Sequence, residues 1–223
     1  MRLSRAGGVY AIVPPMLVVP YGPARAETRA GNSRFIASIA RADSPEEARA
    51  FIRSIKDEFP DASHNVPAFL IGGGACVTEF CSDDGEPSGT SGRPVLAVLK
   101  GSGLGNAAVV VTRYFGGTLL GTGGLVKAYG DAAKAVLAAV ARAELIPARF
   151  ASIELPYQRY EGVKALAQGL GVAVAREAFG ELVAMELVVP TAVRPEFERR
   201  LAELGAGAIS PAYRGETSAT RPL

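Results

Sequence analysis

Histidine is almost absent from this chain, cysteine is scarce, and neither sign of charge dominates. One His and two Cys cannot build an ordinary closed zinc site. Cys76 and Cys81 are five residues apart, so on one extended strand they face opposite ways and no disulfide is expected between them. That usage fits a reducing compartment, and the expected location is cytoplasmic. The net charge is only +2. A protein that holds nucleic acid purely by phosphate neutralisation usually shows a clear basic excess, so any such contact here must be local. No run approaches the ~20 apolar residues that span a bilayer, and no membrane partner is expected. Arg2 and Arg5 precede the apolar run Val9 to Val19, and Pro23 to Glu27 imitates a cleavage site. Pro14 and Pro15 break that run, which suits an extended edge segment better than a signal peptide.

What is present is ample for a packed core. Of 223 residues, 48% are hydrophobic and 21% charged, which excludes a disordered class. The length favours two domains, read as 1–145 and 146–223. Up to Glu144 there are 15 basic and 13 acidic residues, and after it 9 of each, so the small basic surplus belongs to the first part.

Ala24 to Ala30 and Ser33 to Arg41 read as two strands joined by Gly31-Asn32, a hairpin signal. Ser44-Pro45-Glu46-Glu47 then opens a helix, with Ser44 as N-cap, Pro45 at the first position and Glu47 completing a capping box. Ala48, Phe51, Ile52 and Ile55 form its apolar stripe. Strands follow at Asn65 to Ile71 and, after Gly72-Gly73-Gly74, at Ala75 to Cys81. Pro94 to Lys100 reads as a short helix, Asn106 to Arg113 as a buried strand, and Leu125 to Arg142 as an alanine-rich helix. Ile146-Pro147-Ala148 reads as a linker. Beyond it the order is strand, helix, two strands split by Gly180-Glu181, helix, strand, which is the ferredoxin-like βαββαβ pattern. The overall class is therefore α+β.

Two stretches stand out for chemistry. From Asp83 to Arg93 run three carboxylates, three hydroxyls, three glycines and an arginine. Asp83, Asp84 and Glu86 could face a metal or an amine, while Ser88, Thr90 and Ser91 could donate to phosphate. The same residues also make an ordinary turn and helix cap. From Arg113 to Lys127 a strand ends in Arg113, Tyr114 and Phe115, and a glycine-rich loop containing Gly121, Gly123 and Gly124 leads into a helix that carries Lys127 in its first part. That arrangement can aim backbone N–H groups at an anion, and it equally serves close packing of helix on sheet. It is not a P-loop, since no Gly-Lys-Ser/Thr closes it. His64 could serve as a general base, but it has no evident Ser or Cys nucleophile partner in sequence, and a loop or strand-edge role is the expectation.

Three motifs in order carry a resemblance: Asp83-Asp84-Gly85-Glu86-Pro87-Ser88-Gly89-Thr90-Ser91-Gly92-Arg93-Pro94, Val109 to Gly117, and Leu120 to Tyr129. Together with Ser33 to Ala37 they resemble the IMPACT family, in its bacterial, YigZ-like branch. The resemblance implies a ribosomal-protein-S5 domain-2-like first domain, followed by the ferredoxin-like domain. It also implies a role in translation or its regulation. Eukaryotic relatives regulate translation through a ribosome-associated partner, with help from an additional N-terminal domain that has no counterpart in these residues. The family usually carries a His-rich, aromatic run where this chain reads His64 to Phe69, a departure that weakens a catalytic role for that strand. No cofactor and no catalytic residue is implied.

Three functions are therefore open. One is a non-catalytic binding protein in which Arg93, Arg113 and Lys127 meet the phosphates of RNA or the ribosome and Tyr114 or Phe115 stacks on a base. The second is a metal-dependent enzyme acting on a phosphate-containing substrate at Asp83, Asp84 and Glu86. The third is an adaptor for a protein partner.

Overall fold

The computed structural model describes residues 3–6, 9–12, 17–73 and 76–223. The chain divides into two compact units, Met1–Glu144 with Pro222–Leu223, and Leu145–Arg221.

In the first unit a hairpin pairs β1 (Leu3–Ala6) with β2 (Val9–Ile12), and β3 (Val18–Pro20) follows. The run read as one edge segment thus holds two separate strands, while Pro14 and Pro15 lie outside the described residues. The main sheet comprises β4 (Ala24–Ala30), β5 (Ser33–Arg41), β6 (His64–Gly73), β7 (Cys76–Cys81) and β8 (Ala107–Tyr114). It is antiparallel throughout in the order β4-β5-β8-β6-β7. Gly74 and Ala75, read as the turn and strand start before β7, are also outside the described residues.

β8 is buried on both faces, as its Val109-Val110-Val111 run requires. Side chains alternate along a strand, so Ala108 and Val110 meet Ala48, Ile52 and Ile55 of α1 (Pro45–Glu58). Val109 and Val111 point the other way. There they pack with Val95 and Leu99 of α2 (Gly92–Gly101) and with Leu125, Ala128 and Tyr129 of α3 (Gly121–Ala139). The α1 start follows its local code: the Ser44 hydroxyl accepts from the Glu47 N–H at 3.2 Å. The Glu47 carboxylate reaches back one residue further than a capping box requires, to the Asp43 N–H at 2.8 Å.

α3 begins four residues earlier than the glycine content predicts. Gly121 takes φ 70° at its start, and Gly123 and Gly124 lie in its first turn rather than in a loop. Glycine's low helix propensity is overridden by packing of the following Leu125, Ala128 and Tyr129.

In the second unit β9 (Arg142–Leu155), α4 (Tyr157–Gly169), β10 (Ala173–Phe179), β11 (Val183–Pro190), α5 (Arg194–Leu204) and β12 (Ala212–Pro222) form the expected βαββαβ order. The sheet order β10-β11-β9-β12 is that of a ferredoxin-like domain. Leu155, Leu187, Val163, Phe197 and Leu201 centre its core. The stretch read as a linker is a correction: Ile146, Pro147 and Ala148 lie inside β9. Proline breaks a strand only where its N–H is needed; here Ala148 still opposes Pro190, and the Pro147 carbonyl accepts from the Thr191 N–H.

Candidate functional site

Strand alternation builds the site. Along β8, Val109, Val111 and Arg113 share the face covered by α2 and α3; along β6, Val66 and His64 share it too. His64 and Arg113 are direct cross-strand neighbours. The turn after β7 folds Glu86 onto them.

Glu86 and Arg113 are both buried, with 3% and 6% of their side-chain surface exposed. One guanidinium nitrogen of Arg113 donates to Glu86 Oε1 at 2.6 Å, and the Tyr129 hydroxyl from α3 donates to the same oxygen at 2.7 Å. A second Arg113 nitrogen reaches Ser33 Oγ at 3.3 Å. The guanidinium also lies over Phe35 and Phe115, 5.6 and 5.4 Å from the ring centres. Its Nε is buried without a partner. Burial, followed by the bond to Glu86, pushes the Tyr129 phenol far above its ordinary range.

The other carboxylates go elsewhere. Asp83 accepts from the N–H groups of Gly89, Ser91 and Gly92 and from the Ser91 hydroxyl, so it caps the start of α2. Burial alone would raise its pKa, but these donors outweigh it and hold the carboxyl below its usual value. Asp84 accepts from Lys56 Nζ at 2.6 Å and from the Asn65 N–H at 2.7 Å. Asp83, Asp84 and Glu86 therefore do not converge. Among the described residues no three His, Cys, Asp or Glu side chains are grouped to hold a metal ion.

The cations also separate. Arg113 is an interior residue, not a surface arm, because strand alternation turns it inward onto Glu86. Lys127 is exposed on α3 and paired with Asp131, and Arg93 is exposed on α2. Tyr114 alternates to the opposite face from Arg113, where its hydroxyl donates to Asp61. Ser88 is exposed, and Ser91 is buried in the α2 cap.

Between these elements lies a cleft of about 510 Å³, lined among others by His64, Glu86, Arg113, Phe115, Leu119 and Thr122. Phe115 is 46% exposed and Leu119 86%. Across from them Gly121 and Thr122 open α3, whose first turn carries no side-chain cap and no acidic residue. The loop Phe115 to Leu120 is tied down at Gly116, where an added Cβ would stand 2.1 Å from the Asn32 backbone of the β4–β5 turn. Only glycine permits that approach. Nothing local in the chain reports that β6 pairs with β8, so the place of His64 beside Arg113 is not legible in the sequence.

Fold and site together define a two-domain α+β protein with a buried ion pair beneath an apolar cleft in its first, S5-domain-2-like domain. The Impact N-terminal domain model matches residues 31–137, and a domain of unknown function (DUF1949) matches residues 153–208. The chain is 36% identical over 193 residues to the IMPACT family member YigZ of Escherichia coli (strain K12), covering 86% of this chain and 95% of that protein. It is 49% identical over 98 residues to the IMPACT family member YvyE of Bacillus subtilis (strain 168), 44% of this chain and 45% of that protein. A crystal structure of a hypothetical protein superposes with a TM-score of 0.60 at 34% identity, covering 91% of this chain and 99% of the other. The chain belongs to the IMPACT family.

Proposed function

We propose that this protein is a non-catalytic binding protein acting in translation or its regulation, and that the first-domain cleft contacts RNA, on its own or within the ribosome. One observation carries the reading. An exposed aromatic ring, Phe115, faces the same cleft as the open first turn of α3. Stacking on the ring and phosphate held by helix N–H groups are the two sequence-independent handles on a nucleotide. Lys127, six residues after Gly121 and so nearly two turns into α3, adds a cation on that helix. The metal-dependent alternative has less support, since each of its three carboxylates is already engaged by other donors.

Titrating a single-stranded RNA oligonucleotide and isolated ribosomal subunits against the protein at low salt tests the proposal. Phe115→Ala is expected to weaken RNA binding by about 1–3 kcal/mol, the usual loss of one stacked base. A wild-type protein with no measurable affinity for either ligand would overturn the reading and favour a protein-interaction adaptor.

A further inference from the structure

His64 sits in the cleft with one ring nitrogen already assigned. Its Nδ1 lies 2.7 Å from the Asp84 carbonyl oxygen. A carbonyl can only accept, so Nδ1 carries the hydrogen, and in a neutral imidazole with that tautomer Nε2 is the acceptor. That nitrogen stands 3.8 Å from Glu86 Oε1, beyond hydrogen-bond reach, and Glu86 Oε1 is itself occupied by Arg113 and Tyr129.

The orientation is built rather than incidental. Asp84 adopts φ 48°, a left-handed conformation that Asp tolerates better than most non-glycine residues. Lys56 and the Asn65 N–H grip its carboxylate, which leaves its carbonyl aimed at the imidazole. The ring rests against Gly85, where an added Cβ would come within 3.5 Å.

Beside the buried Glu86–Arg113 pair, the cleft therefore offers a stacking ring, helix N–H donors and a fixed imidazole acceptor. If a base lies on Phe115 and its phosphate at the start of α3, the group left to face His64 is the sugar. A sugar meets an acceptor through a hydroxyl. Resting on the function proposed above, we infer that His64 Nε2 accepts a hydrogen bond from the ribose 2′-hydroxyl, so that the cleft selects RNA over DNA. Asp84 is the positioning residue that holds the ring in the accepting tautomer.

Three oligonucleotides of one sequence test this: RNA, DNA and 2′-O-methyl RNA, which keeps the sugar oxygen but loses its hydrogen. The full chain is expected to bind RNA about 3- to 10-fold more tightly than the other two, the range of one neutral hydrogen bond. His64→Phe keeps a ring of similar shape without an acceptor, and should lower RNA affinity to that of DNA while leaving DNA affinity unchanged. His64→Gln returns an acceptor and should restore part of the preference. The RNA-to-DNA ratio is insensitive to a partly unfolded sample, so a poorly folding variant does not mimic the result. Equal binding of all three ligands by the wild type, or a preference that survives His64→Phe, would overturn the inference and leave RNA binding itself standing. Absence of binding to any of the three would instead sink the underlying function.

Discussion

The two domains bury different chemistry. Among the described residues every buried Ser, Thr, Asn, Glu or Arg lies between Ser33 and Arg113, whereas the buried residues of the second domain are apolar. A buried ion pair such as Glu86–Arg113 is worth less to stability than well-packed apolar groups of the same volume, because both ions must leave water. A domain that buries one next to a cleft spends stability on holding groups in place. Among the described residues of the ferredoxin-like domain no ion pair is buried in this way, and the polar atoms buried without a hydrogen-bond partner are Arg149 Nε and the Tyr213 hydroxyl.

The strongest way to break that contrast is Arg113→Ala. Removing one partner leaves Glu86 charged in the interior, and the expected loss is about 3–5 kcal/mol in urea-induced unfolding of the first domain. The double replacement Glu86→Leu with Arg113→Met removes both charges and should lose much less than the single change. A single-mutant loss below about 1 kcal/mol, the level of an exposed pair, would show that the pair is not desolvated in solution. The large loss expected for Arg113→Ala rules it out as a clean probe of ligand binding, since any loss of affinity would report on folding.

Asp83→Ala comes next, at about 1–2 kcal/mol, because it uncaps α2 and strips acceptors from Gly89, Ser91 and Gly92. The effect carries a pH signature. The folded pKa of Asp83 lies below its unfolded value, so its contribution is complete above about pH 4 and is lost as pH falls through the lowered folded value. Asp83→Asn should therefore flatten the stability of the first domain between neutral and strongly acid pH. An unchanged acid profile in that variant would assign the acid response to other carboxylates.

For the second domain the matching change is Ile153→Val, which deletes one methylene from a side chain that is 2% exposed. About 0.5–1.5 kcal/mol is expected, independent of pH, in the unfolding of that domain. A pH-dependent loss there would show that the contrast between the two interiors is misdrawn.

The same contrast explains what could be read from the chain. The α1 start was legible because Ser44, Pro45 and Glu47 act within one turn of each other. The βαββαβ order was legible because each element carries its own periodicity and turn. The candidate site was legible only in its place along the chain. Pairing of β6 with β8 brings His64 beside Arg113, residues 49 apart, and alternation from Val111 then turns Arg113 inward and Tyr114 outward. Those facts depend on register, which neither motif states. Gly121 to Gly124 misled for a related reason: glycine reports local cost, whereas the start of α3 is decided by where Leu125 and Tyr129 can be buried. The strand through Pro147 is the same lesson in the second domain, since the residue pairs around the missing donor.

The smallest expected effect on folding is also the most informative about function. Lys127 is 79% exposed and its partner Asp131 lies four residues on, so Lys127→Ala should cost at most about 0.5 kcal/mol of stability. If the α3 start holds phosphate, Lys127 stands six residues from Gly121, nearly two turns along the same helix, where it would meet a neighbouring phosphate of the strand as one counterion-releasing contact. The slope of log affinity against log salt for single-stranded RNA should then fall by about 0.7. A substitution that leaves the fold untouched yet changes the salt slope cannot act through unfolding, which is the objection that Arg113→Ala cannot escape. An unchanged slope, with RNA still bound, would move the phosphate contact away from α3. Arg93 at the start of α2 would then be the cation to test by the same measurement.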